Sequence, residues 1–522
     1  MISISLQSPS ASIRVWFFVA GTAILISSAA DVQAQDEPAK AATSEAAVDV
    51  SYADEIDQKF RKNIQPDQNA LAKLYEAIGP RPEGTFQGEE YFRRLGIPVP
   101  PDSGKYFSDF AKGLSGEDLQ EANDEYRLAC DWLWKEEQYP DLAKWLRDNA
   151  EPMAIVHEAT LRPEWYCPVF DRKNEDGKPA ALIGMLLPHV QKTRSLARYL
   201  LIRANLHLAN DEPEQAWKDL QTCHRLGRLT SRGPTLIDYL VGAAINSVAI
   251  QGELRLLNHA KLTERQIDQF LLDLSQLPPM PSVLLNVDIT ERRMFLDSVT
   301  LMGQGHLNFA ELTGDDDPLE GGTFDRLLKA MIDWDEVRKK GNKAYDELVA
   351  ALEVEGAEER RQALAKIEEN RVATRSKFTG GDLLKDVLSS GSASNVATDR
   401  MADVLIALMT PAIQNVDLAQ VRCLQMNQNL VLAFQLQKYK VMNGGYPEDL
   451  PSLENALSVT IPPDLCNGQP LTYSKTKDGY FFYSVGTNGI DQGGKSWNDP
   501  PLDTSGTKAD DLIIRMPLPM SP

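Results

Sequence analysis

The sequence predicts a mainly α-helical protein that ends in a small α+β domain, one long helix packed on a small antiparallel sheet. Three observations predict it. Apolar residues recur at three- and four-residue spacing from Tyr52 to Met442, as in helices with one buried face. Strand-length apolar or alternating runs are found at Leu471–Tyr473 and Gly479–Val485, near the C-terminus. Proline and glycine clusters separate the helical stretches, where they interrupt hydrogen bonding.

Residues 1–34 read as an export signal. Arg14 precedes an apolar run from Val15 to Ile26, and Val32-Gln33-Ala34 fits a small-x-small cleavage site before Gln35. The run is shorter than the ~20 residues of a comfortable membrane span. The expected location is the periplasm or cell surface; the alternative is an uncleaved anchor in the inner membrane. No membrane span is expected after signal removal. Residues 35–50, rich in Ala, Glu, Asp and Ser, form a disordered spacer with little to bury.

Residues 51–310 predict an all-α domain. Tyr52 to Ile78 is helical, and five prolines between Pro80 and Pro101 make residues 79–105 irregular. Leu119–Trp134 and Pro140–Asn149 are helical, with Trp132, Trp134 and Trp145 as large packing units. Trp165 to Phe170 reads as a core-facing connector, in preference to a ligand-binding box. His189–Leu208 and Pro213–Leu229 form a helical hairpin that resembles one tetratricopeptide unit, with Ala204, Ala216, Leu220 and Cys223 at its small, small, large and small positions. No second copy follows. Pro234–His259 is strongly apolar, Thr263-Glu264-Arg265-Gln266 has the capping-box form, and Val283–Met302 adds a further helix. Gly314 to Pro318 and Gly321-Gly322 mark a loop.

Residues 323–378 predict a charged helical hairpin, Phe324–Leu352 and Ala357–Lys377, as a solvated arm projecting from the body. Residues 379–410 are a joint with a short helix: Gly380-Gly381 and Ser389 to Ser392 are flexible points, and the helix stops before Pro411. Residues 411–522 form the α+β end. The helix Pro411–Met442 runs into Asn443-Gly444-Gly445-Tyr446-Pro447, where glycine suits a left-handed C-cap.

Tyr439 with Gly445-Tyr446-Pro447 and Leu450, then Gly468-x-Pro470-Leu471-x-Tyr473, then Tyr483-Ser484-Val485-Gly486 give this end its character. On these residues the stretch Leu430–Asp511 resembles the globular head of type II secretion pseudopilins and related bacterial exported proteins. The resemblance covers about 80 of the 522 residues. It departs in one respect. A pseudopilin begins with an apolar helix that enters the filament core, whereas the equivalent helix here is internal and carries Gln414, Gln420, Arg422, Gln425, Asn427 and Gln428. The chain therefore should not polymerise. The resemblance also implies a calcium loop between Gly486 and Asp511, with Asp491, Asp510 and Asn488 as candidate ligands and Asp499, Asp503 and Asp511 in reserve. A polar surface loop without metal is the competing reading. No other cofactor is implied.

The formal charge of −21 disfavours nucleic acid and anionic lipid surfaces. Cys130, Cys167, Cys223, Cys423 and Cys466 show no paired spacing; Cys167 and Cys466, in loop-like text, are the expected disulfide if one forms. Catalytic motifs fail: Leu161 stands where His157-Glu158 would need a second histidine for a zincin, and no nucleophile elbow, phosphate loop or dinucleotide fingerprint is present. His207 and His224 near Cys223 lack a four-ligand zinc spacing, and Asp315-Asp316-Asp317 lacks the rest of an EF-hand. No catalytic residue is assigned. The expected function is a non-catalytic binding or assembly role with a protein partner in the bacterial envelope; the alternative is a periplasmic hydrolase working in a helical cleft.

Overall fold

The computed structural model describes residues 51–80, 88–174, 177–185, 187–307, 331–376, 393–497, 499–500 and 508–518. The signal, the spacer, the loop at Gly314–Gly322, the joints at Gly380 and Ser389, and Asp503 lie outside them. The described residues are mostly helical, with a three-stranded antiparallel sheet near the C-terminus.

The first helices are α1 (Tyr52–Arg61), α2 (Ala70–Ile78), α3 (Glu89–Leu95), α4 (Gly116–Asp131), α5 (Pro140–Asp148) and α6 (Ala150–Thr160). Ser51 and Asn69 cap α1 and α2, each side chain accepting a first-turn N–H. Helix α3 falls in the stretch expected to be irregular. It fits between the prolines because it is only about two turns long, closed by Gly96 at φ 78°. A two-residue hairpin, β1 (Arg172–Lys173) and β2 (Pro179–Ala180), precedes α7.

The centre of the body is α7 (Pro188–Ala209), α8 (Pro213–Thr230) and α9 (Leu236–His259), followed by α10 (Glu264–Ser275). The expected hairpin is α7 and α8, and Ala204, Ala216, Leu220 and Cys223 are all buried. Helices α8 and α9 touch backbone to backbone: a Cβ on Gly242 would lie 2.5 Å from the Gly227 carbonyl oxygen, and one on Gly227 would lie 2.8 Å from that of Gly242. The expected capping box closes on Thr263 and Gln266 at α10, and a second, not expected, closes on Thr235 and Asp238 at α9. A π-helical turn, Asn286–Glu291, runs into α11 (Arg292–Gln304).

Two more helices, α12 (Trp334–Leu352) and α13 (Ala357–Ser376), correspond to the charged hairpin. They do not project. Val337, Tyr345 and Leu348 of α12 enter a second core with Phe295 of α11 and with Ala397, Met401 and Leu405 of α14 (Ala393–Met409). Small residues allow this: a Cβ on Gly341 would sit 2.0 Å from the Phe295 ring. Arg360 of α13 lies 2.9 Å from buried Asp417.

The long helix α15 (Ile413–Asn443) is followed by α16 (Leu450–Leu457) and by β3 (Thr472–Lys475), β4 (Tyr480–Ser484) and β5 (Leu512–Met516), in the order β3-β4-β5. Phe482 is the shared register point, opposite Tyr473 on β3 and Ile514 on β5. Strand β5 has no counterpart in the sequence expectation. Its inward residues Leu512, Ile514 and Met516 are interleaved with Ile513, which blurs the alternation.

Helix α15 belongs to the body as much as to the sheet. Phe434 packs edge-on to Trp217 of α8 and Phe270 of α10, while Ile413, Val416 and Cys423 lie in the second core. The stretch Asn395–Asn443 is, among the described residues, long and apolar enough to cross a membrane by length and composition, which the sequence reading had not expected of any later segment. It is interrupted at Pro411, and its apolar residues Ala402, Leu405, Val416, Leu432 and Phe434 are buried against other helices.

All five cysteines are free and buried. Cys167 and Cys466 form no disulfide, because Cys167 faces Tyr91 and His189 while Cys466 lies against Ser484.

Gly242→Ala should destabilise the protein by about 1–3 kcal/mol, since the added methyl forces α8 and α9 apart. Gly445→Ala, where a Cβ meets nothing within 4 Å, should leave the urea midpoint unchanged. Equilibrium unfolding of the two variants checks the contrast.

Candidate functional site

The most chemically loaded place in the interior lies where the connector after α6 meets the starts of α7 and α9. The connector is fastened on both sides of Cys167. Asn69 accepts from the Tyr166 N–H at 3.0 Å and donates to the Tyr166 carbonyl at 3.0 Å. Asp57 accepts from the Tyr166 hydroxyl at 2.8 Å and from the Val169 N–H at 2.9 Å. His189 is in the first turn of α7 and Asp238 in the first turn of α9.

These three elements bring a thiol, an imidazole and a carboxylate into line. Cys167 Sγ is 3.9 Å from His189 Nδ1, and His189 Nε2 is 2.7 Å from Asp238 Oδ1. The other Asp238 oxygen accepts from the Thr235 N–H at 3.0 Å and the Thr235 hydroxyl at 2.7 Å. Beyond the thiol, the Tyr91 hydroxyl is 3.6 Å from Cys167 Sγ and 3.2 Å from the Tyr75 hydroxyl. Gly233 leaves the room for Asp238, since a Cβ there would meet its carboxyl carbon at 2.4 Å. The Trp165 ring stands edge-on to the His189 ring at 5.9 Å, and its buried Nε1 has no hydrogen-bond partner.

His189 and Asp238 are fully buried and Cys167 is 3% exposed. Burial alone would lower the His189 pKa. The Cys167 sulfur and the Asp238 carboxylate on either side of the ring outweigh it and push His189 up to about 10. The imidazole is thus held as a cation between two acceptors. Burial pushes the thiols of Cys130 and Cys466 up to about 12 and that of Cys423 to about 11, so those three are inert at neutral pH.

A second buried polar lane runs between α8, α9 and α15. His224 Nε2 lies 2.8 Å from Glu253, and its Nδ1 3.1 Å from Asn246 Oδ1. Asn246 donates to Cys423 Sγ at 3.6 Å, and Arg228 donates to Asn427 Oδ1 at 2.7 Å. His207, by contrast, is turned to Glu212 at 2.6 Å. The two histidines are not brought together.

The loop proposed for calcium has a different use for its carboxylates. One Asp510 oxygen accepts from the Thr487 N–H at 2.8 Å, the Thr487 hydroxyl at 2.9 Å and the Asn488 N–H at 3.1 Å. The other is paired with Arg422 of α15. Asp491 accepts from the Tyr483 hydroxyl at 3.1 Å and the Gly493 N–H at 2.9 Å, and Asn488 turns its Oδ1 to the Ile490 N–H at 2.8 Å. Asp511 accepts from Gly494 and Gln492 N–H groups, and Asp499 from Ser496 and Arg515. A cation taken up by Asp510 would have to displace Arg422 from it. Among the described residues no group of three or more His, Cys, Asp or Glu side chains is placed to hold a metal.

No family model, curated protein or solved structure matches the chain.

Sequence reading missed the Cys167–His189–Asp238 line because its members are 22 and 49 residues apart. The one local sign was Thr235-x-x-Asp238, a capping pattern at the start of an apolar helix.

His189→Ala should cost about 3–5 kcal/mol at neutral pH, because it leaves Asp238 buried without its cation. The histidine's pKa is about 6.5 when unfolded and about 10 when folded. Its contribution is therefore complete below about pH 6.5 and is lost as pH rises through about 10. Urea unfolding should show the gap between wild type and variant narrowing across that window.

Arg422→Ala should lower stability by about 1.5–3 kcal/mol by removing a charge-assisted bond to Asp510. Millimolar Ca²⁺ decides the calcium reading: a rise in melting temperature that Asp491→Ala weakens would support it, and an unchanged melting curve would dispose of it.

Proposed function

We propose that the protein is an exported, non-catalytic binding or assembly protein of the bacterial envelope, in which a pseudopilin-like head is built into a helical body. The observation that supports it is the commitment of α15. In a pseudopilin the corresponding helix belongs to a filament. Here its polar residues bond within the same chain: Gln420 accepts the Val283 N–H at 3.0 Å, Gln425 the Leu465 N–H at 2.8 Å, and Asn429 donates to the Leu512 carbonyl at 3.2 Å. A helix braced on several sides leaves the loop around Ile490 for contacts. Ile490 is 60% exposed. The partner in this reading is a protein of the envelope, met after export of a chain whose charge of −21 keeps it soluble.

A second reading, a hydrolase, has one specific observation on its side: the Cys167–His189–Asp238 line.

The binding reading is tested by placing a photo-crosslinking residue at Ile490 in the native envelope. One discrete adduct is expected, with the purified mature chain sedimenting as a non-filamentous species. Filaments, or an absence of adduct, would contradict the proposal.

A further inference from the structure

We propose that Cys167 is the nucleophile of an acyl-transfer site, with His189 as its acid–base partner and Asp238 as the group that positions His189. The substrate class is a small ester or thioester. The inference rests on the second reading above, the hydrolase; it stands against the non-catalytic part of the first and leaves its contact face at Ile490 untouched.

The geometry has the three parts that nucleophilic catalysis requires: a nucleophile, a base beside it, and a third group that fixes the base. Nδ1 of His189 faces the sulfur at 3.9 Å and Nε2 faces Asp238 at 2.7 Å. Asp238 is in turn fixed by both Thr235 donors. Such a ring cannot rotate away from the thiol without giving up a buried charge pair. The Tyr91 hydroxyl, 3.6 Å from the sulfur, is placed to donate to a thiolate. Trp165 Nε1 supplies a buried donor without an acceptor next to the His189 ring, the kind of group that a developing oxyanion uses.

Cys167 also has a backbone setting of its own. It lies on an extended connector between Tyr166 and Pro168, and not inside a helix as Cys130, Cys223 and Cys423 do. The connector is anchored through Asn69 and Asp57 to either side of it, which fixes the sulfur. Its exposure of 3% restricts the acyl donor to a small one.

The chemistry balances. The thiolate attacks the carbonyl carbon, and the leaving alkoxide or thiolate takes the Nδ1 proton from the His189 cation. This yields a thioester on Cys167 and a neutral imidazole. Water then attacks the thioester while Nδ1 takes its proton; the carboxylic acid leaves, and the thiolate and imidazolium are restored. The sum is an ester or thioester plus water giving an acid plus an alcohol or thiol.

The test uses the full mature chain and p-nitrophenyl acetate. A burst of p-nitrophenolate is expected at close to one equivalent per chain, with the acetyl group located on Cys167 by peptide mass. Cys167→Ser should abolish the burst, His189→Gln should slow it by about 10²-fold, and Cys423→Ser should leave it unchanged. Asp238→Asn should move the pH profile of acylation, a change that a merely structural role would not produce. No burst from native protein, an acetyl group on any other residue, or a burst that survives Cys167→Ser would overturn the proposal. Should Cys167→Ser fail to fold, the position of the acetyl group on the wild-type chain decides the matter. None of these outcomes bears on the crosslink at Ile490.

Discussion

Helix α15 is the member on which both ends of the molecule rest. Its apolar face carries Phe434 into the aromatic contact with Trp217 and Phe270, and its N-terminal turns carry Ile413 and Val416 into the second core. Its polar face holds the sheet: Arg422 pairs with Asp510, Asn429 donates to Leu512, and Gln425 accepts from Leu465. Buried amides and a guanidinium cost free energy unless each finds a partner. The loops that supply those partners are therefore specified by the helix. This is why α15 carries glutamine and asparagine along its length: Gln420, Gln425 and Asn429 each bond to a segment packed against the helix.

The same rule of paired burial governs the ionisable groups of the interior. His189 beside Asp238 and His224 beside Glu253 place two imidazole–carboxylate contacts in the body with all four side chains fully buried. Apolar residues of similar volume would hold the helices at least as well. The two lines differ in what lies beyond the imidazole. His224 ends on the amide of Asn246, which has no reactivity. His189 ends on a thiol with a hydroxyl behind it, which has. The proposed acyl-transfer site rests on that difference.

Much of the fold was legible in the sequence, and the failures have physical causes. The helical hairpin, the capping box at Thr263, the core-facing Trp165 connector and the long helix ending at Gly444 follow from periodicity and from local backbone chemistry, which one sequence window contains. The charged hairpin was misjudged as an arm because helix burial was read from large apolar residues. Gly341 buries α12 by having no side chain at all. Strand β5 was missed because Ile513 fills the outward position. Of the candidate site, the loop around Asp491 and Asp510 was visible as a cluster of carboxylates, but a sequence does not show that Arg422, 88 residues away, takes one of them. Cys167, His189 and Asp238 were invisible as a set for the same reason.

Native-state hydrogen exchange before and after Phe434→Ala tests most directly whether α15 makes body and sheet a single cooperative unit. The account predicts that the truncation lowers protection together in α9, α15 and β4, by a common opening free energy. Loss of protection confined to β3, β4 and β5, with α9 unchanged, would contradict it.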